Sequence, residues 1–249
     1  MPLRKTILAP GEFFHIYNRG NSKQRIFLDD EDKARFVSLL FLCNSKRSFN
    51  YRNDIIRADI DIWSFDRGES IVSIGAWVIM PNHFHIYLRL VRDKAEENGK
   101  SAASIFMEKL ARSYAQYFNT KYNRTGALFE GRFKAVHITT DTQAKYNFSY
   151  IHLNSIKLID SKWREKGLKD FSKAKKFLEG YKWSSYLDYR GKIRPENKIL
   201  NVKDFPKYFK NMSNFDSEIN EWLRLVPDKA KIVSYEEDLD IFIEAEKDL

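Results

Sequence analysis

A single cysteine, Cys43, in 249 residues excludes an internal disulfide and fits a reducing compartment. It ends the apolar run Phe36-Val37-Ser38-Leu39-Leu40-Phe41-Leu42, where its expected part is core packing. No stretch of about 18 apolar residues is present, so no membrane-spanning helix is expected. The start, MPLRKTILAPGEFF, lacks the long apolar core and small-residue cleavage site of a secretory signal, and the simplest address is the cytoplasm. Internal repeats and low-complexity tracts are also missing. Acid is scarce over most of the length. From Asp216 onward there are 11 acidic and 4 basic residues, so the first 215 residues carry about +16 against +9 for the whole chain. Such an excess favours a polyanionic partner, because clustered Lys and Arg release counterions from phosphates. With 43% hydrophobic and 15% aromatic residues, the chain can bury a substantial core.

Local patterns give an order of elements. Phe13-Phe14-His15-Ile16-Tyr17 alternates and is closed by Asn18-Arg19-Gly20-Asn21, which predicts a first strand. Asp29 to Asp32 then place acid at the positive end of an amphipathic helix through Leu42. Residues 46 to 70 show no sustained period and are read as a loop or insertion. Ile71 to Met80 and the run from His83 onward predict two antiparallel strands joined by a tight turn at Pro81-Asn82. Ser101 or Ser104 can cap a helix carrying Phe106, Leu110, Tyr114, Tyr117 and Phe118. A fourth strand is expected over Leu128 to Thr139, and a helix capped by Asp141 reaching about Leu158. This order predicts an α+β fold: a ferredoxin-like, RRM-like antiparallel sheet with helices on one face. The division is a domain over 1–160, with its insertion at about 46–70, and a mostly helical C-terminal extension with an acidic tail over 161–249.

Two short patterns carry chemistry. On a strand the period of two points His83 and His85 to one face, where both imidazoles can converge on a divalent cation, while Phe84 faces the apolar layer. Five histidines in a chain of this length produce such a pair by chance roughly one time in ten, so two satisfied histidines on a half-buried strand are an equal alternative. On the last helix of the domain, Tyr150 and Asn154 stack at i, i+4 while Phe148 and Ile151 face the core. Tyrosine supplies an oxygen nucleophile, asparagine a carbonyl donor. A hard cation such as Mg2+ or Mn2+ is poorly served by two imidazoles alone, but Asn154 and phosphate oxygens would complete its shell. Among 13 tyrosines, any one is more often an amphipathic packing residue than a nucleophile.

Four runs in order, FHIYNRGN, AWVIMPNHFHIYLRL, YNRTGALFEGRFKA and YIHLNSIK, resemble the REP-associated tyrosine transposases of the single-tyrosine HUH superfamily over roughly residues 12 to 190. The resemblance implies His83, His85 and Asn154 as metal ligands and Tyr150 as the nucleophile. It further implies cleavage and rejoining of single-stranded, hairpin-forming repeat DNA through a 5′-phosphotyrosine link, by a monomer or a homodimer. Within the matching runs, Arg19, Arg124, Arg132 and Lys134 are candidate phosphate contacts, and Tyr17 and Phe129 candidate stacking platforms for unpaired bases. His152, two positions from Tyr150, points elsewhere and is read as a surface or interface histidine. The insertion and the acidic tail have no counterpart in the family's compact form, and the tail is expected to be a solvated helix pair. The main rival is a nonenzymatic single-strand RNA- or DNA-binding module, although no K/R-G-F/Y-G/A-F-V-like stretch is present.

Overall fold

The computed structural model describes residues 6–91, 99–207 and 212–224. Its centre is a four-stranded antiparallel sheet in the order β2-β3-β1-β4, built from β1 (Phe13–Arg19), β2 (Val72–Met80), β3 (His83–Leu90) and β4 (Lys134–Ile138). Between them run α1 (Asp30–Leu42) and α2 (Ala102–Lys121), and α3 (Asp141–Leu153) follows β4. Four further helices complete the described chain: α4 (Trp163–Lys166), α5 (Phe171–Gly180), α6 (Tyr186–Tyr189) and α7 (Met212–Arg224). Fold class and strand sequence are those expected. Among the described residues, no helix is long and apolar enough to cross a membrane.

The acid-rich start of α1 works as a reciprocal cap. Asp29 accepts from the Asp32 amide at 2.9 Å, and the Asp32 carboxylate accepts in return from the Asp29 amide at 3.4 Å and from the Leu28 amide at 2.8 Å. The cap of α2 is Ser101, which accepts from the Ser104 amide. That of α3 is Thr140, in a capping box with Gln143, so Asp141 is the first helical residue and not the cap. The regular helix ends at Leu153, and Asn154–Leu158 tighten into a 3-10 turn. The fourth strand is shorter than its pattern. Gly126 and Gly131 take φ of 87° and 64°, so the backbone turns there and only an isolated bridge pairs Gly20 with Phe129 before β4 begins.

Helices lie on both faces of the sheet, which corrects the expectation of one. Phe14 and Ile16 of β1 and Phe84, Ile86 and Leu88 of β3 pack with Phe36, Leu40, Phe106, Leu110 and Tyr114 of α1 and α2. The alternate residues, Tyr17 and Tyr87, pack with α3 and the extension through Phe148, Tyr150, Ile151, Phe205 and Phe215. β2 serves both layers by way of a bulge. Val72 and Ile74 precede it and Trp77 and Ile79 follow it on the α1/α2 side, the parity changing at Gly75. Gly75 also admits the Phe205 ring, whose nearest carbon would stand 2.6 Å from an added Cβ. Because β2 is buried throughout, its sequence reads as a continuous apolar run and not as the alternation of a half-solvated strand.

The region after residue 160 is tied to that edge strand. Ile79 donates to Trp183 O, Ser185 to Trp77 O and Asn201 to Ile74 O, each at 2.9 Å, and a bridge joins Val78 to Ser184. These bonds cover the edge of β2. α7 lays Phe215, Ile219 and Leu223 against α3, with Arg190 paired to Asp216, so this part of the acidic tail is packed and not solvated. The remainder of the tail lies outside the described residues. The 46–70 segment packs on the α1/α2 side through Ile55, Trp63 and Phe65.

Candidate functional site

Parity and register assemble the site on the α3 side of the sheet. On β3, His83, His85, Tyr87 and Arg89 alternate with the core residues, and on β1 so do His15, Tyr17 and Arg19. The two strands pair Tyr17 with His85 and Arg19 with His83, which makes His15 the diagonal neighbour of His85. Ring centres of His83 and His85 are 4.9 Å apart, and those of His15 and His85 5.0 Å. Tyr150 descends from α3 onto this group, its ring 5.5 Å from His85 and 5.8 Å from His15, edge-on to both. Asn154 lies one turn further along, wholly buried. From Asn147 to Ile156 every residue is buried, because the sheet covers one side of the helix and the extension the other.

Hydrogen bonding orients the rings. His83 Nδ1 stands 2.6 Å from Asn82 Oδ1, and an amide oxygen can only accept, so Nδ1 carries the hydrogen. His15 Nε2 and His85 Nδ1 are 2.9 Å apart. The opposite nitrogens, His85 Nε2 and His15 Nδ1, are buried without a partner among the described residues, and so are both amide atoms of Asn154. Burial takes His15 down to about 3. It also holds His85 well below its ordinary value, and the neighbouring His83, His15, Lys157 and Arg164 act in the same direction. His15 and His85 are therefore neutral, the form of imidazole that ligates a metal.

Among the described residues no group of three or more His, Cys, Asp or Glu side chains could hold a metal. The candidate set is of another composition, two imidazoles and an amide, and its fit rests on the unpartnered His85 Nε2 and the unpartnered Asn154 oxygen among the described residues. Those are donors a divalent cation accepts.

Two contributors were not anticipated. His15 was legible only as part of a strand, since its place beside His85 depends on the β1–β3 register. Arg164, on α4, sets its guanidinium 4.0 Å from the Tyr150 ring centre and donates to Tyr150 O at 3.4 Å, while its Nη1 is buried without a partner among the described residues. Four residues into the extension, it carries no local motif. With Lys157 it gives the site a cationic setting suited to an anion.

The expected DNA contacts scatter. Tyr17 is buried with its ring 5.8 Å from His85. Arg19 is engaged by Glu130, through Nε and through Nη2 at 3.0 Å. Arg124 reaches Asn119 at 3.3 Å and lies over Phe118, at the far end of α2. Phe129 packs in the α1/α2 core against Phe84 and Tyr114, which commits its ring to the interior. Arg132 and Lys134 are exposed. His152 is neither on the surface nor in the site. It is fully buried, its Nδ1 donating to Phe148 O at 2.9 Å and its Nε2 accepting from Ser185 Oγ at 2.8 Å, which joins α3 to the extension.

No protein-family model matches the chain, and no curated protein matches its sequence. Among solved structures it is similar to a REP-associated tyrosine transposase bound to a REP hairpin, at 14% identity and a TM-score of 0.45, over 79% of this chain and 90% of that one. At that distance the likeness decides nothing about chemistry, which is argued below from the residues themselves.

Proposed function

We propose that the protein is a metal-dependent transesterase that cleaves and rejoins single-stranded, hairpin-forming DNA through a 5′-phosphotyrosine on Tyr150. The observation that carries this reading is the meeting of Tyr150 with His85 and His15 on the face of the sheet that also carries His83, beside donor atoms that are buried and unpartnered among the described residues. Unsatisfied buried polar groups cost about 1–3 kcal/mol each, and their concentration beside a possible nucleophile points to a ligand-binding site. The four ordered sequence runs point the same way. On this reading the element order β-α-β-β-α-β and the strand order β2-β3-β1-β4 are those of a ferredoxin-like sheet.

Each residue then has a task. The Tyr150 oxygen attacks the scissile phosphorus and the bond to the 3′ oxygen breaks, leaving a 5′-phosphotyrosine and a 3′-hydroxyl. The proton lost by Tyr150 is balanced by one gained at the departing oxygen. Because a phosphodiester is kept, a second 3′-hydroxyl can reverse the step and join strands without ATP. His83, His85 and Asn154 would hold a Mg2+ or Mn2+ ion, which when bound offsets charge on the nonbridging oxygens. Arg164 and Lys157 supply fixed positive charge near the same oxygens. Arg132 and Lys134, exposed on and before β4, are the phosphate contacts retained from the sequence reading. Tyrosine and histidines come from one chain, so the chemistry requires no exchange of helices and is open to a monomer or a homodimer.

The test is a labelled hairpin oligonucleotide with Mg2+ or Mn2+. Wild type should form a denaturation-resistant adduct that Tyr150→Phe does not. Binding of the hairpin without any adduct would replace this reading with that of a nonenzymatic single-strand binding module.

A further inference from the structure

We infer that His15 is a positioning residue which accepts the Nδ1 hydrogen of His85 and thereby presents the bare Nε2 of His85 to the site; this rests on the reading of His85 as a metal ligand. β1 and β3 pair Tyr17 with His85, so His15 stands diagonally across from His85 on the same face, and its Nε2 lies 2.9 Å from His85 Nδ1. Two neutral imidazoles joined by one bond share one hydrogen, which leaves two arrangements. If His15 donated, His85 would carry its own hydrogen on Nε2, a buried N–H with no acceptor among the described residues. If His85 donates, its Nε2 keeps a lone pair directed outward, the form in which an imidazole ligates a cation. The second arrangement puts the hydrogen of His15 on Nδ1, which is itself buried and without a partner among the described residues. An unpartnered N–H is thus moved from the site to the far side of His15.

His83 obeys the same logic. Its Nδ1 donates to Asn82 Oδ1, so both histidines of the pair are held through Nδ1 and aim Nε2. Ligating histidines are ordinarily steered by a carboxylate, a carbonyl or water. At His85 the acceptor is another imidazole from the neighbouring strand, fixed by backbone pairing on both sides, because β1 lies between β3 and β4. His15 is fully buried and touches no solvent, so its steering is permanent and not acquired on binding.

The first test is the tautomer of His85 in the metal-free, full-length protein, read from two-bond 1H–15N correlations of 15N-histidine-labelled material with a His85→Gln spectrum for assignment. Hydrogen on Nδ1 is expected, and hydrogen on Nε2 overturns the inference whatever the protein's activity. The second test titrates Mn2+ calorimetrically into wild type, His15→Phe and His15→Gln. His15→Phe fills the space without an acceptor and should weaken Mn2+ binding about 10–100-fold. His15→Gln restores an acceptor oxygen and should recover part of that loss. Equal affinity in all three, with near-wild-type unfolding midpoints, overturns the inference. Should His15→Phe misfold, His15→Gln and the tautomer decide the matter alone. Adduct formation separates this inference from the reading beneath it. If wild type forms no Tyr150 adduct, the function falls while the tautomer is judged on its own spectrum. If it does, His15→Phe should need more Mn2+ for half-maximal adduct yet reach a similar plateau.

Discussion

The two faces of the sheet solve different problems with the same strands. Toward α1 and α2 the side chains are Phe14, Ile16, Trp77, Ile79, Phe84, Ile86 and Leu88, and the one buried polar side-chain atom left unpartnered among the described residues there is Trp77 Nε1. Toward α3, the β1 and β3 residues that alternate with these are His15, Tyr17, His83, His85, Tyr87 and Arg89, and unpartnered atoms among the described residues fall on His15, His85, Asn147, Ser149, Asn154, Ser155, Trp163 and Arg164. One face is packed for stability. The other keeps polar groups unsatisfied in the dry interior, which evolution tolerates where a ligand completes them.

The sharpest way to break this comparison uses adjacent residues. Phe84→Ala should lower unfolding stability by about 3–5 kcal/mol in urea titrations, because its ring fills the α1/α2 core. His85→Ala should abolish the adduct at a smaller cost of about 1–3 kcal/mol, that of leaving the buried His15 nitrogen without its partner. Equal destabilisation by both would erase the distinction between the faces.

A smaller effect is expected where the α3 side is satisfied. Trp77 N donates to Ser185 Oγ at 3.0 Å and Ser185 Oγ to His152 Nε2 at 2.8 Å, so Ser185→Ala strands a buried imidazole and should cost about 1–3 kcal/mol.

Acid should weaken the same face. Burial takes His15 and His152 down to about 3 from the ordinary 6.5, and depresses His85 in the same direction. Below pH 6.5 the unfolded chain binds more protons than the folded one, so stability is full above that pH and falls as pH drops toward 3. Each ring contributes up to about 1.4 kcal/mol per pH unit. Urea midpoints measured from pH 7.5 to 5 should decline, and His152→Gln should flatten the decline.

The smallest change is expected at the rim. Lys134→Ala and Arg132→Ala should each weaken hairpin binding uniformly across sequences and reduce the salt slope by about 1, in binding isotherms at several salt concentrations. An unchanged slope would move the DNA path away from β4.

Much of this contrast was legible in the sequence where period and punctuation are local. Alternation gave β1 and β3 and put Phe84 opposite His83 and His85; Asp29 to Asp32 marked the start of α1; Tyr150 and Asn154 fell on one helical line. What was not legible depended on contacts distant in sequence. The partnership of His15 with His85 comes from strand pairing across 70 residues. Arg164 reaches Tyr150 through a chain reversal after α3, and a four-residue helix leaves no periodic signature. Helices were placed on one face from the element order alone, although the continuous apolar run of β2 is what burial on both faces produces. Nothing local in Trp183, Ser184 and Ser185 announces that their backbone pairs with the β2 edge. Phe129 looked like a base platform because an aromatic beside basic residues in a turn suggests one, whereas its neighbours in space are Phe84 and Tyr114.

The central claim is that Tyr150, held against His85 and His15, becomes covalently joined to DNA. Wild-type protein incubated with a hairpin oligonucleotide and Mn2+, then digested and analysed by tandem mass spectrometry, tests it most directly. The account predicts a 5′-phosphonucleotide on the peptide containing Tyr150, on that oxygen, and none when the metal is chelated. A modified peptide carrying any other tyrosine, or a cleaved strand with no protein attached, would contradict it.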